Sequence, residues 1–141
     1  MNENNKSDLL GASSEALANA AVKVLLEKKA VAVKLFNVVG KSSVTDFYVN
    51  ATGRSSTQVA SLADEVADFT ENHGRAPLRI EGRSGNAWIL VDYGDVIVNV
   101  FDKASREFYN LDKHLPEDSE VDISSLIEEV DNKFDLNKKE Q

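Results

Sequence analysis

Asp92 and Asp95 flank a Tyr-Gly pair in the run Asp92-Tyr93-Gly94-Asp95. Two carboxylates at the rim of a sheet can hold a metal, or can work as an acid and a base. Sharing a metal requires the turn to fold both side chains inward. The plainer reading is a turn: Asp95 makes an Asx-type contact and Asp92 ends a strand. The plainer reading is preferred, and no metal site is expected.

Gly53-Arg54-Ser55-Ser56 is the second candidate. It follows a strand and opens a helix, and helix N-termini bind anions through free N–H groups. Nucleotidyltransferases begin their active sites this way. They then present two acids spaced two apart on a strand, so that both point at one metal pair. No Asp-x-Asp or Glu-x-Glu lies in the candidate strands here, and the second strand region holds only Asp46. Gly40-Lys41-Ser42 looks like the end of a Walker motif, but position 35 is Leu35 where that motif needs glycine.

The other reactive side chains offer less. His73 falls at the end of a helix, where a cation suits the dipole, and His114 falls in a loop. No Gly-x-Ser-x-Gly occurs. Cysteine is absent, which excludes disulfides, thiol catalysis and cysteine zinc sites. No cofactor is expected. Trp88, the single tryptophan, is followed by Tyr93, Phe101, Phe108 and Tyr109. These rings are either core packing or, if exposed at a sheet edge, anchors for a protein interface. Spacing alone leaves both readings open.

The 141 residues are enough for one domain with a real core. At 42% hydrophobic and 28% charged they read as globular rather than disordered. The net charge of -8 repels phosphate backbones, so broad electrostatic nucleic-acid binding, direct DNA binding included, is not expected. A basic protein partner fits better. No run approaches the ~18 apolar residues of a membrane helix. The opening MNENNKSDLLGA lacks the apolar stretch of a signal peptide. It carries Glu3 and Asp8 and no Arg, unlike a mitochondrial leader. The expected location is cytoplasmic.

The elements that must position these residues follow from periodicity. Residues 1–12 read as a flexible N-terminus. A helix starts at Ser13 or Ser14 and runs to about residue 29, with Leu17, Ala21, Val24 and Leu25 on one stripe. Residues 31–38 form a strand with Val31, Val33 and Leu35 on one face. A second strand spans 44–51. Ser55 and Gln58 form a capping-box pattern for a helix over 56–73, with Val59, Leu62, Ala63, Val66 and Phe69 buried and Gly74 after its end. Residues 78–82 form a short strand, parallel to the one before the helix. Strands 88–93 and 96–101 make an antiparallel hairpin. Their apolar residues are consecutive, which predicts a sheet covered on both faces. After Pro116 the chain is acidic. Within that extension, 116–141, Asp122 caps a possible short helix with Ile123, Leu126, Ile127 and Val130 at helical spacing. The extension is expected to be dispensable for folding. The sum is one α/β domain over 13–115, a mixed sheet of about five strands flanked by helices.

Three stretches carry a resemblance. "GKSSVTDFYVNATGRSSTQVASLADEV", "EGRSGNAWILVDYGDVIVNVFD" and "SREFYNLDKHL" together resemble the ribosomal silencing factor family, also called Iojap-like. The match runs from about Ala21 to Leu115. The resemblance implies a nucleotidyltransferase-like shape without the catalytic acids or the activity. It implies binding to a protein on the interface of the large ribosomal subunit. The bound factor blocks joining of the small subunit and lowers translation when nutrients are scarce. Homodimers are common in the family. Position by position, the family's tryptophan falls on Trp88 and its acidic turn on Asp92, Tyr93, Gly94 and Asp95. Its Arg-x-x-Tyr-x-Leu falls on Arg106, Tyr109 and Leu111, and its Ser-x-x-x-Asp on Ser42 and Asp46. Ala32, Asn37, Asn99, His114 and Leu115 depart from the pattern. The expected partner-binding set is therefore Trp88, Asp92, Tyr93, Asp95, Tyr109 and Leu111. The carboxylates would complement a basic partner and the rings would supply apolar area. The alternative is a nucleotide-handling enzyme built on Gly53–Ser56.

Overall fold

Helix α1 (Ser14–Glu27) begins where the Ser13 hydroxyl oxygen accepts from the Ala16 N–H. That cap satisfies one of the donors that every helix start leaves open. The computed structural model describes residues 8–140. Leu17, Ala21, Val24 and Leu25 are buried, as their spacing predicts. Helix α2 (Ser56–Asn72) is capped by Ser55, whose hydroxyl accepts from the Gln58 N–H, while the Gln58 side chain returns to the Arg54 N–H. Gly74, at a φ of 102°, takes the left-handed position beyond the helix end.

The two helices lie together on one face of a sheet. Its strands are β1 (Val31–Asn37), β2 (Phe47–Gly53), β3 (Arg79–Glu81), β4 (Trp88–Asp92), β5 (Val96–Asp102) and β6 (Glu120–Val121). The order is β3-β4-β5-β2-β1-β6. Only β2 and β5 pair in parallel; the other pairs are antiparallel. Thus β3 does run parallel to β2, but β5 and β4 lie between them. The core packs α1 and α2 against Val49, Val91 and Val98 of the central strands. No helix among the described residues is long and apolar enough to cross a membrane.

The structure has the mixed α/β sheet expected from sequence and departs from the finer expectations as follows. The sheet has six strands, because the acidic extension supplies β6, which pairs Leu35 with Val121 and Phe36 with Glu120. The same extension continues into α5 (Ser124–Glu140). There Val130 is buried and Ile123 and Leu126 pack on the core, so the extension is not a bystander to the packing. In β1 the register slips between Val31 and Lys34, with Ala32 at a φ of 52°. This bulge breaks the alternation, so Val31 turns outward and only Leu35 of its set is buried. Phe69 leaves its stripe and stacks on His73, with centroids 4.0 Å apart. Finally, residues 8–12 are not loose. Leu9 is buried and its N–H donates to the His73 carbonyl at 2.8 Å. Residues 1–7, part of the flexible terminus expected from sequence, lie outside the described residues.

Candidate functional site

Strand pleating sends alternate residues of β2, β4 and β5 to opposite faces. One set meets α1 and α2. The other set comprises Tyr48, Asn50 and Thr52 from β2, Trp88, Leu90 and Asp92 from β4, and Ile97, Asn99 and Phe101 from β5. Helices α3 (Lys103–Tyr109) and α4 (Leu111–His114) cover only part of this reverse face. Helix α3 starts on Asp102, whose carboxylate accepts from the Ser105 N–H at 2.7 Å. Asn110 ends it in the left-handed conformation, a role Asn tolerates, and so redirects the chain into α4.

The uncovered part is a groove of about 460 Å³. Tyr48, Trp88, Leu90, Ile97 and Asp92 line it, with Val44, Leu78 and Leu111 at its borders. Leu78 is 74% exposed and Val44 64%. Single exposed apolar residues are ordinary, but several around one concavity mark a binding surface. Trp88 is half-buried, one side on Phe101 (centroids 5.0 Å) and another on Tyr109 (4.8 Å). Its indole N–H donates to Asn99 Oδ1 at 2.9 Å. Trp88 is thus packed from beneath and open to the groove.

Of the expected partner-binding residues, Trp88, Asp92 and Leu111 line the groove, and Tyr109 stands beside it against Trp88. Asp92 is engaged within the chain. Its carboxylate accepts from the Gly94 N–H at 2.8 Å and from Arg79 Nε at 3.0 Å. Tyr93 is a correction. It points to the helix side, is 2% exposed, and its hydroxyl meets Thr70 Oγ1 at 2.7 Å. Burial pushes its pKa up to about 12, against smaller lowering effects of the Thr70 bond and the Arg75 charge. A side chain so enclosed supplies no docking area. Asp95 also turns from the groove, bound by Arg75 Nη2 at 2.6 Å and by the Ser14 hydroxyl at 2.9 Å. The two carboxylates of the turn therefore have separate partners. Among the described residues, no three metal-ligating side chains gather.

Sequence reasoning missed Tyr48, Leu90, Ile97, Val44 and Leu78. Leu90 and Ile97 were within reach: Leu90 shares the face of Trp88 by alternation, and Ile97 pairs with Asp92. Val44 and Leu78 were expected to open strands, but β2 starts only at Phe47 and β3 at Arg79, which leaves both on the loops that lead into them. Tyr48 has its pKa raised by burial and, second, by the Asp92 charge beside it.

The Gly53–Ser56 loop is built for packing. A Cβ at Gly53 would sit 2.9 Å from both the side chain and the backbone N of Val59. The Arg54 N–H and the Ser55 hydroxyl are both engaged in the α2 cap. The Arg54 guanidinium donates to the Lys29 carbonyl at 2.7 Å.

Residues 11–141 match the family model described as ribosomal silencing factor during starvation. The chain belongs to the ribosomal silencing factor family. A ribosomal silencing factor of Halalkalibacterium halodurans is 35% identical over 115 residues, which are 82% of this chain and 98% of that protein. A crystal structure from Chromobacterium violaceum superposes with a TM-score of 0.71 at 27% identity, covering 74% of this chain and 87% of that one. A second, from Bacillus halodurans, gives 0.67 at 36% identity, covering 77% and 98%. The silencing-factor match takes in β6 and α5 as well as the central sheet.

Proposed function

We propose that this chain docks through its open sheet face onto a basic protein at the interface of the large ribosomal subunit, and so keeps the small subunit from joining. The groove around Trp88 carries the reading. It offers apolar area at Trp88, Leu90, Leu111 and the exposed borders Val44 and Leu78. Asp92 and Glu81 place negative charge at one end, shared with the single guanidinium of Arg79. A net charge of -8 favours a cationic protein and disfavours ribosomal RNA. The work is done in the cytoplasm and needs no catalysis, only occupied space. A second copy of the chain is a further partner under the same reading.

The test mixes purified subunits with and without the chain and measures the fraction that associates. Association should fall as the chain saturates the large subunit. Undiminished association at saturation rejects the proposal. A nucleotide titration addresses the enzyme alternative, since only that alternative requires tight phosphate binding at Gly53–Ser56.

A further inference from the structure

Asn50 and Asn99 are 0% and 1% exposed and pair directly across β2 and β5. Two amides at the centre of a sheet destabilise it unless both ends of each are bonded. They are, and every donor runs the same way. The Trp88 indole N–H donates to Asn99 Oδ1 at 2.9 Å. Asn99 Nδ2 donates to Asn50 Oδ1 at 3.0 Å. Asn50 Nδ2 donates to Asp112 Oδ1 at 2.7 Å. Arg106 closes the chain, donating to Asp112 Oδ2 at 2.8 Å and to Thr52 Oγ1 at 2.9 Å. A head-to-tail series that ends on an anion is polarised along its length, which strengthens each bond.

We infer that this relay presets the docking groove: Asn50, Asn99, Asp112 and Arg106 are positioning residues that lock Trp88 and Leu111 before a partner arrives. The inference rests on the docking proposal above. The indole has one polar handle, and Asn99 fixes the turn of the ring by holding it. Phe101 and Tyr109 confine the ring itself. Asp112 directly follows Leu111, so the carboxylate that ends the relay also fixes that wall of the groove. One anion thus ties together two docking residues that lie far apart in sequence. Side chains locked in advance lose less freedom on binding, and affinity rises without any new contact.

A purely structural relay would only satisfy buried amides, and would leave docking indifferent to it. Trp88 is the sole tryptophan, so a ¹⁵N-labelled chain gives one indole N–H signal that reports the far end of the relay. The perturbation is made at the near end, where the Asp112 side chain is 21% exposed. Asp112→Ala should move the indole signal, speed its hydrogen exchange and weaken binding to isolated large subunits about three- to tenfold. Asp112→Asn keeps an oxygen for Asn50 but not the charge, and should fall between. Lys113→Ala, exposed on the same helix and outside the relay, should leave both readings unchanged. An unmoved indole signal in Asp112→Ala, or a moved signal with unchanged affinity, overturns the inference. Should Asp112→Ala fail to fold, an unmoved signal in Asp112→Asn overturns it. Failure of the unaltered chain to bind large subunits rejects the docking proposal, and with it the purpose of the relay. That failure is read from the unaltered chain alone, so it is not confused with a fault in the relay.

Discussion

Under α1 and α2 the sheet presents Val49, Ala51, Ile89, Val91, Val98 and Val100, all fully buried. On the reverse the same three strands present Asn50, Trp88, Leu90, Asp92 and Asn99. The first face is closed by the chain's own helices and meets their apolar side chains, Leu17, Leu25 and Leu62 among them. The second is a mixture of rings, amides and one acid, with its polar groups bonded internally and part of its apolar area left open. A face whose indole, amides and acid are already bonded but whose carbon surface is open offers a partner apolar contact at little polar cost. The helix face therefore holds the fold, and the reverse face is the candidate for docking.

Five changes test this division, beginning with the largest effect. Ile89→Ala opens a cavity on the helix face, where the side chain is fully buried. Urea unfolding should show a loss of about 2–5 kcal/mol. The fraction that stays folded should bind large subunits as before. Trp88→Ala, one position along on the other face, should behave in the opposite way. Its docking should weaken by roughly 2–4 kcal/mol if Trp88 is a central anchor. A cosedimentation assay with large subunits reads this directly. Full docking by the folded Trp88→Ala fraction would return Trp88 to the core.

Removing everything after Pro116 asks whether the extension belongs to the fold-holding side. It takes away β6, the buried Val130, and Ile123 and Leu126. Stability should drop by about 2–3 kcal/mol, the worth of one or two buried aliphatic side chains. The melting temperature should fall and docking should persist. An unchanged melting temperature would show the contacts of α5 to be idle.

Tyr93 sharpens the comparison through pH. Unfolded, its phenol titrates at 10.0; folded, at about 12. The native state keeps the proton longer, so this contribution to stability is complete below pH 10 and is lost as the pH rises toward 12. The decline should reach about 2–3 kcal/mol. Tyr93→Phe should remove it, and should cost about 1 kcal/mol at neutral pH through the lost Thr70 bond. Unfolding curves on either side of pH 10 measure both. The smallest effect is at the rim. Asp92→Lys breaks the ion pair with the mostly exposed Arg79 and also the bond its carboxylate accepts from the Gly94 N–H, so stability should fall by about 1–2 kcal/mol. Binding to large subunits should weaken more at low salt than at high salt, because charge complementarity is screened.

The hairpin, α1, α2 and the caps of those two helices were legible because each is encoded locally. Ser13, the Ser55–Gln58 pair and Gly94 act within a few residues of themselves. The groove was half legible. Trp88, Asp92, Tyr109 and Leu111 could be named, but which side of the sheet each faces depends on the register. Tyr93 shows the difficulty: one step beyond Asp92, it points to the opposite face and is sealed. The consecutive apolar residues of β5 suggested a sheet covered on both sides. Asn99 in their midst was the sign that one side is not built from hydrocarbon alone. Strand β6 was not legible at all. A two-residue strand has no period to read, and it exists because the open edge of β1 is there to receive it.

Both borders of this sheet end badly for a newcomer. On one side β3 is three residues long and carries Arg79 and Glu81. On the other, β6 covers β1 at Leu35 and Phe36, and the bulge at Ala32 spoils what remains. An intruding strand finds no straight row of free backbone groups to copy. The chain is thereby guarded against edge-to-edge aggregation. Among the described residues, the faces of the sheet offer a second copy more than its edges do.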